Sequence, residues 1–388
     1  MGIQKILVTG GAGYIGSHLV DALVDRQYRV TVLDSLEPQV HRSGTWPAYA
    51  NPRATYVRGD VRDRATVAPL VLESDAVVHF AAAVSIGQSM YQIERYVSVN
   101  TGGTGVLLDI MANDKHHLQK VLVASSVGVY GEGAYRCGSC GPSYPGLRNA
   151  AQLAARDWEP HCPTCGRSVE PVPTPEAKPL YRDNIYSMTK YHQEEMVLLI
   201  GRTYGIPAVA PRFFNVYGPR QSLSNPYAGV AAIFLSRLLN DRPPMIFEDG
   251  GQLRDFVSIR DVVNCLVLML ERSGADFLPV NIGSGTRISI LEIARVLNRL
   301  LGKSIEPHML HEGRLFDVRH CFCDASRLRE TLGYEPAVNL DTGMAELIDW
   351  ARATGDGAVD LFDRALGELR DKGLMAANRT SDRPARRG

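Results

Sequence analysis

Ile6-Leu7-Val8-Thr9-Gly10-Gly11-Ala12-Gly13-Tyr14-Ile15-Gly16-Ser17-His18 is the stretch on which the reading of this chain turns. A short apolar run passes through a glycine turn into Leu19, Val20, Leu23 and Val24, which recur at helical spacing. Such a strand-turn-helix junction needs its glycines for separate reasons. One permits the tight turn, one lets a pyrophosphate approach the N–H groups at the helix start, and one allows the helix to pack closely on the strand. The next strand-like run, residues 30–33, ends in Asp34, 18 positions beyond Gly16. A carboxylate there accepts hydrogen bonds from ribose hydroxyls and repels a 2′-phosphate, so the frame predicts NAD rather than NADP. Gly10, Gly13, Tyr14, Ile15, Gly16 and Asp34 are its expected contacts.

Working outward, β-branched runs at residues 6–8, 30–33, 55–57, 76–80, 121–124 and 208–210 alternate with helical patterns. That rhythm predicts an α/β fold with a doubly wound, Rossmann-type parallel sheet, its chemistry in the loops after the strands. Asp60 follows the third strand and faces either the adenine or simply a turn. From about Pro219 the alternation breaks down, and helical segments at 228–239 and 290–301 are separated by Gly- and Pro-rich stretches. The expected organisation is a cofactor domain over residues 1–218 and a smaller α/β substrate-binding region over 219–373. An insertion occupies 132–178, and a polar, Arg-rich tail over 374–388 is expected to be disordered.

Lys plus Arg and Asp plus Glu number 42 each, so no net field draws the surface to nucleic acid or to an anionic membrane. No apolar stretch is long enough to cross a bilayer. The first strand starts too close to Met1 for a leader, which places the chain in the cytoplasm.

Tyr186-Ser187-Met188-Thr189-Lys190 sets a phenol and an ammonium four apart, on one face of a helix. A nearby Lys⁺ and an oxidised nicotinamide both favour the phenolate, so together they are expected to lower the Tyr186 pKa and let it take a hydroxyl proton. Spacing alone says little, since chance gives about 0.3 such pairs in a chain of this composition. Its weight comes from Ser125-Ser126-Val127-Gly128 at the end of a central strand, where Ser126 is the expected partner of the reacting oxygen. Two serines at a strand end are also common turn formers.

Cys137-Gly138-Ser139-Cys140-Gly141 and Cys162-Pro163-Thr164-Cys165-Gly166 are two copies of one CxxCG turn. Four thiolates at this spacing close a tetrahedral shell, which predicts a structural zinc with no open position for substrate. His161 is a competing ligand that the shell does not need. Cys265, Cys321 and Cys323 read as ordinary core or strand residues. Between positions 133 and 172 the net charge is only +1, too little for a nucleic-acid patch.

Taken together, these residues resemble the extended short-chain dehydrogenase/reductase family, in its NAD-dependent sugar-nucleotide epimerase branch. The match runs from Lys5 to about Pro336. It includes the glycine turn, Asp34, His79-Phe80-Ala81-Ala82-Ala83, Asn100, Ser126 and the Tyr186/Lys190 pair, and it continues through Arg212 to Pro219, Arg254-Asp255-Phe256-Val257, Arg314 and Asp317. The resemblance implies further cofactor contacts at Val61, Phe80, Ala81, Ala82 and Asn100. It implies substrate contacts at Asn215, Arg254 and Arg314, the arginines on a diphosphate, and Asp317 on the nucleoside ribose. It also implies a cycle in which Tyr186 takes the C4 hydroxyl proton as hydride leaves to NAD⁺. The 4-keto sugar then turns, and hydride and proton return on its other face.

Departures inform as well. The Asp-Glu pair of related 4,6-dehydratases is Val127 and Gly128 here, which disfavours elimination, and the Lys some relatives carry near the nicotinamide phosphates is Val84. Ser126 and Tyr186 lie 60 residues apart, more than most of the family places between them. The inserted segment resembles that of dTDP-L-rhamnose 4-epimerases, which makes dTDP-L-rhamnose the expected substrate. UDP-hexose 4-epimerisation and reduction of a 4-keto sugar remain as rivals, with a catalytically silent sugar-nucleotide sensor as the reading from another class. A homodimer through helices near 100–111 and 186–200 is implied by the resemblance.

Overall fold

Strands that are apolar on both faces need cover on both sides, and here the helices supply it. In the computed structural model, which describes residues 2–227, 229–354 and 359–376, the central sheet has eight parallel strands, seven of them in one continuous order and the short Ser125–Ser126 strand paired beside Arg212 and Phe213. The seven are β1 (Lys5–Thr9), β2 (Arg29–Asp34), β3 (Thr55–Arg58), β4 (Ala76–His79), β5 (Lys120–Val123), β6 (Ala208–Phe213) and β7 (Pro279–Ile282). Their order is β7-β6-β5-β4-β1-β2-β3, so the winding reverses between β1 and β4 and opens a crevice at their carboxyl ends. The six runs expected from the sequence all form strands of this sheet.

Alternate residues of β1 feed opposite cores. Ile6 and Val8 pack with Leu19, Leu23 and Leu266 on one face, while Leu7 packs with Leu107, Val197 and Leu198 on the other. The C-terminal region builds a second sheet around Leu253–Ser258. Asn215–Tyr217 and His320–Cys321 join it in parallel, and Arg287–Ser289 joins antiparallel. The helix Ile290–Leu301 has the expected limits and starts on a capping box between Ser289 and Glu292. Its companion spans Val230–Leu239; Ala228, expected at its start, lies outside the described residues.

The insertion carries a three-stranded antiparallel sheet, with Ala134–Cys137 between Gly141–Ser143 and Glu170–Val172. The expected tail needs correction at its near end. Met375 pairs with Arg314, the Ala376 N–H reaches the Gly313 carbonyl at 2.9 Å, and both residues are buried, so apolar contact holds 374–376 on the domain. The rest of the tail, 377–388, lies outside the described residues. Cys265, Cys321 and Cys323 are buried core residues, as read.

Candidate active site

At the crevice the glycine turn does what its residue types require. Gly10 has a left-handed backbone (φ +70°), and a Cβ there would stand 2.7 Å from the Ala81 nitrogen; at Gly16 it would stand 2.4 Å from the Gly10 carbonyl. Gly13 differs, since a Cβ there would meet only that same carbonyl, at 3.3 Å. Gly13 caps the helix Tyr14–Asp25 without any side-chain cap, so the first N–H groups face an open cradle suited to an anion. Asp34 is buried, takes the N–H groups of Ala12 (3.1 Å) and Leu36 (2.9 Å), and faces the crevice. These donors and this carboxylate fit a dinucleotide's pyrophosphate and ribose.

One cavity of about 760 Å³ runs from Asp34 past Tyr186 to Arg314 and Asp317. Gly10, Gly13, Tyr14, Ile15, Gly16, Asp60, Val61, Phe80, Ala81, Ala82, Ser126, Lys190, Asn215 and Arg254 line it too. Asp60 is already engaged by the Arg62 guanidinium at 2.6 Å, which holds its carboxyl below the usual range. Asn100 is the exception among the expected cofactor contacts. It is fully buried behind the wall, where its amide clamps the Ala83 backbone (2.7 and 3.0 Å) and reaches Thr189 (2.9 Å). A π-helical turn over Val97–Gly102 carries it there, so Asn100 positions the loop after β4 and does not line the cavity.

The catalytic helix, Ile185–Tyr204, starts where the Asn184 side chain accepts the Ser187 N–H at 2.9 Å. Tyr186 therefore sits in the first turn and Lys190 one turn along, both buried against the strand end that carries Ser126. The Ser126 hydroxyl hydrogen-bonds the Tyr186 phenol, and Lys190 Nζ donates to the Ala124 carbonyl at 3.0 Å. Of the two positive charges expected to acidify Tyr186, the Lys190 ammonium does not do so. Burial pushes the phenol up to about 12, opposed only by the Ser126 hydrogen bond. Burial likewise pulls the Lys190 ammonium down to about 7. Desolvation disfavours both charged forms. Beside them His79 is held neutral, down to about 3, by burial and then by the Lys190 charge.

At the far end Arg314 donates to Asp317 at 3.1 and 2.5 Å, and Arg254 donates to it at 3.4 Å. Burial works to raise the Asp317 carboxyl, but the charges of Arg314 and Arg254 outweigh it and hold it below the usual range. Asn215 Oδ1 is buried and without a partner among the described residues, on the cavity wall between phenol and arginines.

Sequence reading missed the wall opposite. The C-terminal helix Phe362–Asp371 turns Phe362, Ala365, Leu366 and Leu369 into the cavity, and Leu369 comes within reach of Gly87. Their i, i+3, i+4, i+7 spacing was the available signal.

Away from the cavity, the Sγ atoms of Cys137, Cys140, Cys162 and Cys165 lie within 4.8 Å of one another. Cys137 and Cys165 are 3.6 Å apart, close to the edge of about 3.8 Å that a tetrahedron with zinc–sulfur bonds of about 2.3 Å requires. The N–H groups of Cys165 and Thr164 lower the Cys162 thiol to about 6, and those of Ser139 and Cys140 lower Cys137. His161 turns away to Asp157 at 2.7 Å.

The model of the NAD dependent epimerase/dehydratase family matches residues 6–145 and 163–283. The chain belongs to this family, and is an enzyme of it. It is similar to the dTDP-L-rhamnose 4-epimerase of Burkholderia thailandensis, with 36% identity over 354 residues, 89% of this chain and 94% of that protein. Among solved structures, the UDP-glucose 4-epimerase of Thermotoga maritima with UDP-glucose superposes with a TM-score of 0.74 at 29% identity, covering 90% of this chain and 99% of the other. The UDP-glucuronic acid 4-epimerase of Bacillus cereus, in complex with UDP-glucuronic acid and NAD, gives a TM-score of 0.73 at 27% identity, over 90% and 100%.

Proposed function

We propose that this enzyme inverts C4 of a nucleotide-linked sugar through a transient 4-keto sugar, with dTDP-L-rhamnose as substrate and dTDP-6-deoxy-L-talose as product. One observation carries the reading. A single cavity joins a dinucleotide cradle, a phenol-serine-lysine cluster and a pair of arginines suited to a diphosphate. Gly13, Asp34 and Lys190 would hold NAD, which would supply a hydride acceptor regenerated in each turnover. Tyr186 accepts the C4 hydroxyl proton and later returns one, Ser126 orients that oxygen, and Asn215 meets the sugar with its free amide oxygen.

Gly128 favours epimerisation over dehydration. The acid pair that elimination calls for is Val127 and Gly128 here, and a side chain at 128 would have to displace the Ser187 hydroxyl, 2.7 Å from its Cβ. The dTDP-L-rhamnose assignment is supported by the Burkholderia relative. UDP-hexose 4-epimerisation is the second reading, supported by the Thermotoga neighbour.

We further propose a structural zinc on Cys137, Cys140, Cys162 and Cys165, whose spacing suits a closed four-thiolate shell in a reducing compartment such as the cytoplasm. We also propose a homodimer through the helices near 100–111 and 186–200, and exposed Leu199 on the second supports it. Among the described residues no helix is long and apolar enough to cross a membrane.

The test is incubation of purified enzyme with dTDP-L-rhamnose and, separately, UDP-glucose, without added cofactor, following C4 configuration by NMR. Inversion of the first is expected; inversion of neither removes the epimerase reading. Metal analysis is expected to find one zinc per chain, lost when the four cysteines become serine, and a zinc-free wild-type enzyme would end that assignment.

A further inference from the structure

Residues 132–178 add nothing to the lining of the cavity, yet their buried polar groups grip the chain segment that forms its nucleotide end. Glu132, fully buried, accepts the backbone N–H of Arg319 (2.8 Å) and of His320 (2.7 Å) and the Tyr135 hydroxyl (2.7 Å). Arg148, also buried, donates to the carbonyls of Asp317 (3.2 Å) and Trp158 (3.0 Å) and pairs with Glu248 at 2.9 Å. Glu159 takes the Arg319 guanidinium (2.9 and 2.7 Å) and meets His320 Nε2 at 2.8 Å. Arg319 itself bridges on to Glu248 and Asp249.

Apart from the bonds to Tyr135 and Trp158 within the insertion, these contacts land on positions 317–320 or on Glu248 and Asp249, which hold Arg319. That short segment also presents the Asp317 carboxylate that Arg254 and Arg314 share, and the Val318 and Arg319 carbonyls that Arg254 caps at 2.7 and 2.9 Å. The aim of both arginines is therefore set from behind, by the insertion. The cysteine cluster closes the same unit: Cys137 ends the strand just after Glu132, and Cys162 follows Glu159 by three residues. Side chains of fixed geometry are what a diphosphate site requires, and one displaced by an ångström loses much of its affinity.

We propose that the insertion is a positioning device for the nucleotide end of the cavity, with Arg148, Glu132 and Glu159 as positioning residues that fix Asp317 and through it Arg254 and Arg314. This rests on the nucleotide-sugar reading of the cavity. Binding of the nucleoside diphosphate depends on these three residues, while proton transfer at Tyr186 and retention of NAD do not.

The experiment titrates dTDP alone and UDP alone into the wild-type holoenzyme and into Arg148→Ala and Glu159→Gln by calorimetry. The same proteins are assayed for bound NAD, kcat and KM. Arg148→Ala is expected to weaken nucleotide binding about tenfold and to raise KM in parallel, with kcat and bound NAD within about twofold of wild type. Glu159 is half exposed, so Glu159→Gln is expected to give a smaller loss, about threefold, and it carries the test by itself should Arg148→Ala fail to fold. Nucleotide affinity equal to wild type in the folded variants, or a fall in kcat with KM unmoved, overturns the proposal. A wild-type enzyme that binds neither nucleotide overturns instead the nucleotide-sugar reading on which it rests.

Discussion

Tyr186 and Lys190 are both kept neutral-leaning by burial, and that fixes what each does. A phenol held near 12 stays protonated at neutral pH, so its taking of a proton depends on the Ser126 hydrogen bond and on further positive charge close to the phenol oxygen. Replacing Tyr186 with Phe removes the phenol beside Ser126, and C4 inversion is expected to fall at least about 10³-fold while NAD stays bound, measured by NMR and by released dinucleotide. Lys190 has a folded pKa of about 7, below the ordinary 10.5. With the folded value depressed, its contribution to stability is complete above about pH 10.5 and is lost as pH falls to about 7, because the unfolded chain takes up a proton the buried amine refuses. Urea midpoints at about pH 9.5 and about pH 7.5 are expected to differ less in Lys190→Met than in wild type; an equal difference would show that Lys190 does not carry this pH dependence.

The elements matter through how tightly they meet. At the first turn a methyl group on Gly16 would run into the Gly10 carbonyl at 2.4 Å, which is backbone and has nowhere to go. Gly16→Ala is expected to purify with less than about a tenth of the wild-type NAD, because the pyrophosphate cradle must open to admit the methyl. Gly105→Ala, on an open helical face with nothing within 4 Å, is the control and keeps its cofactor. The strand-turn-helix junction was legible from residues 6–18 because each glycine acts within a few residues of itself. Asn100 was not, since its clamp on Ala83 exists only once the π-helical turn folds back over the loop after β4.

Across the whole molecule, the three elements that carry the reaction are locked by one buried ion pair. Arg212 on β6 meets Glu194 on the catalytic helix at 2.5 Å, and Glu194 also takes the Ser125 hydroxyl beside Ser126. Neither side chain sees solvent. Glu194→Ala strands the guanidinium, and the expected cost is about 3–5 kcal/mol in denaturant unfolding, whereas exchanging both partners for apolar residues costs less. A loss below about 1 kcal/mol would mean that the pair does not hold the strands to the helix.

What the sequence alone determined is whatever acts locally: the alternation of strands and helices, the glycine cradle, Asp34, and the pairing of four cysteines by two identical turns. Periodicity and backbone constraint are written residue by residue, and they survive without any knowledge of the fold. Only the tertiary structure decided how strongly burial works against the charged forms of Tyr186 and Lys190, since desolvation depends on everything packed around a group. The same holds for the apolar wall from the C-terminal helix, and for Glu132, Arg148 and Glu159, whose cited partners lie 100 to 188 positions away along the chain and meet them only through the packing of the insertion against the segment 317–320 and Glu248.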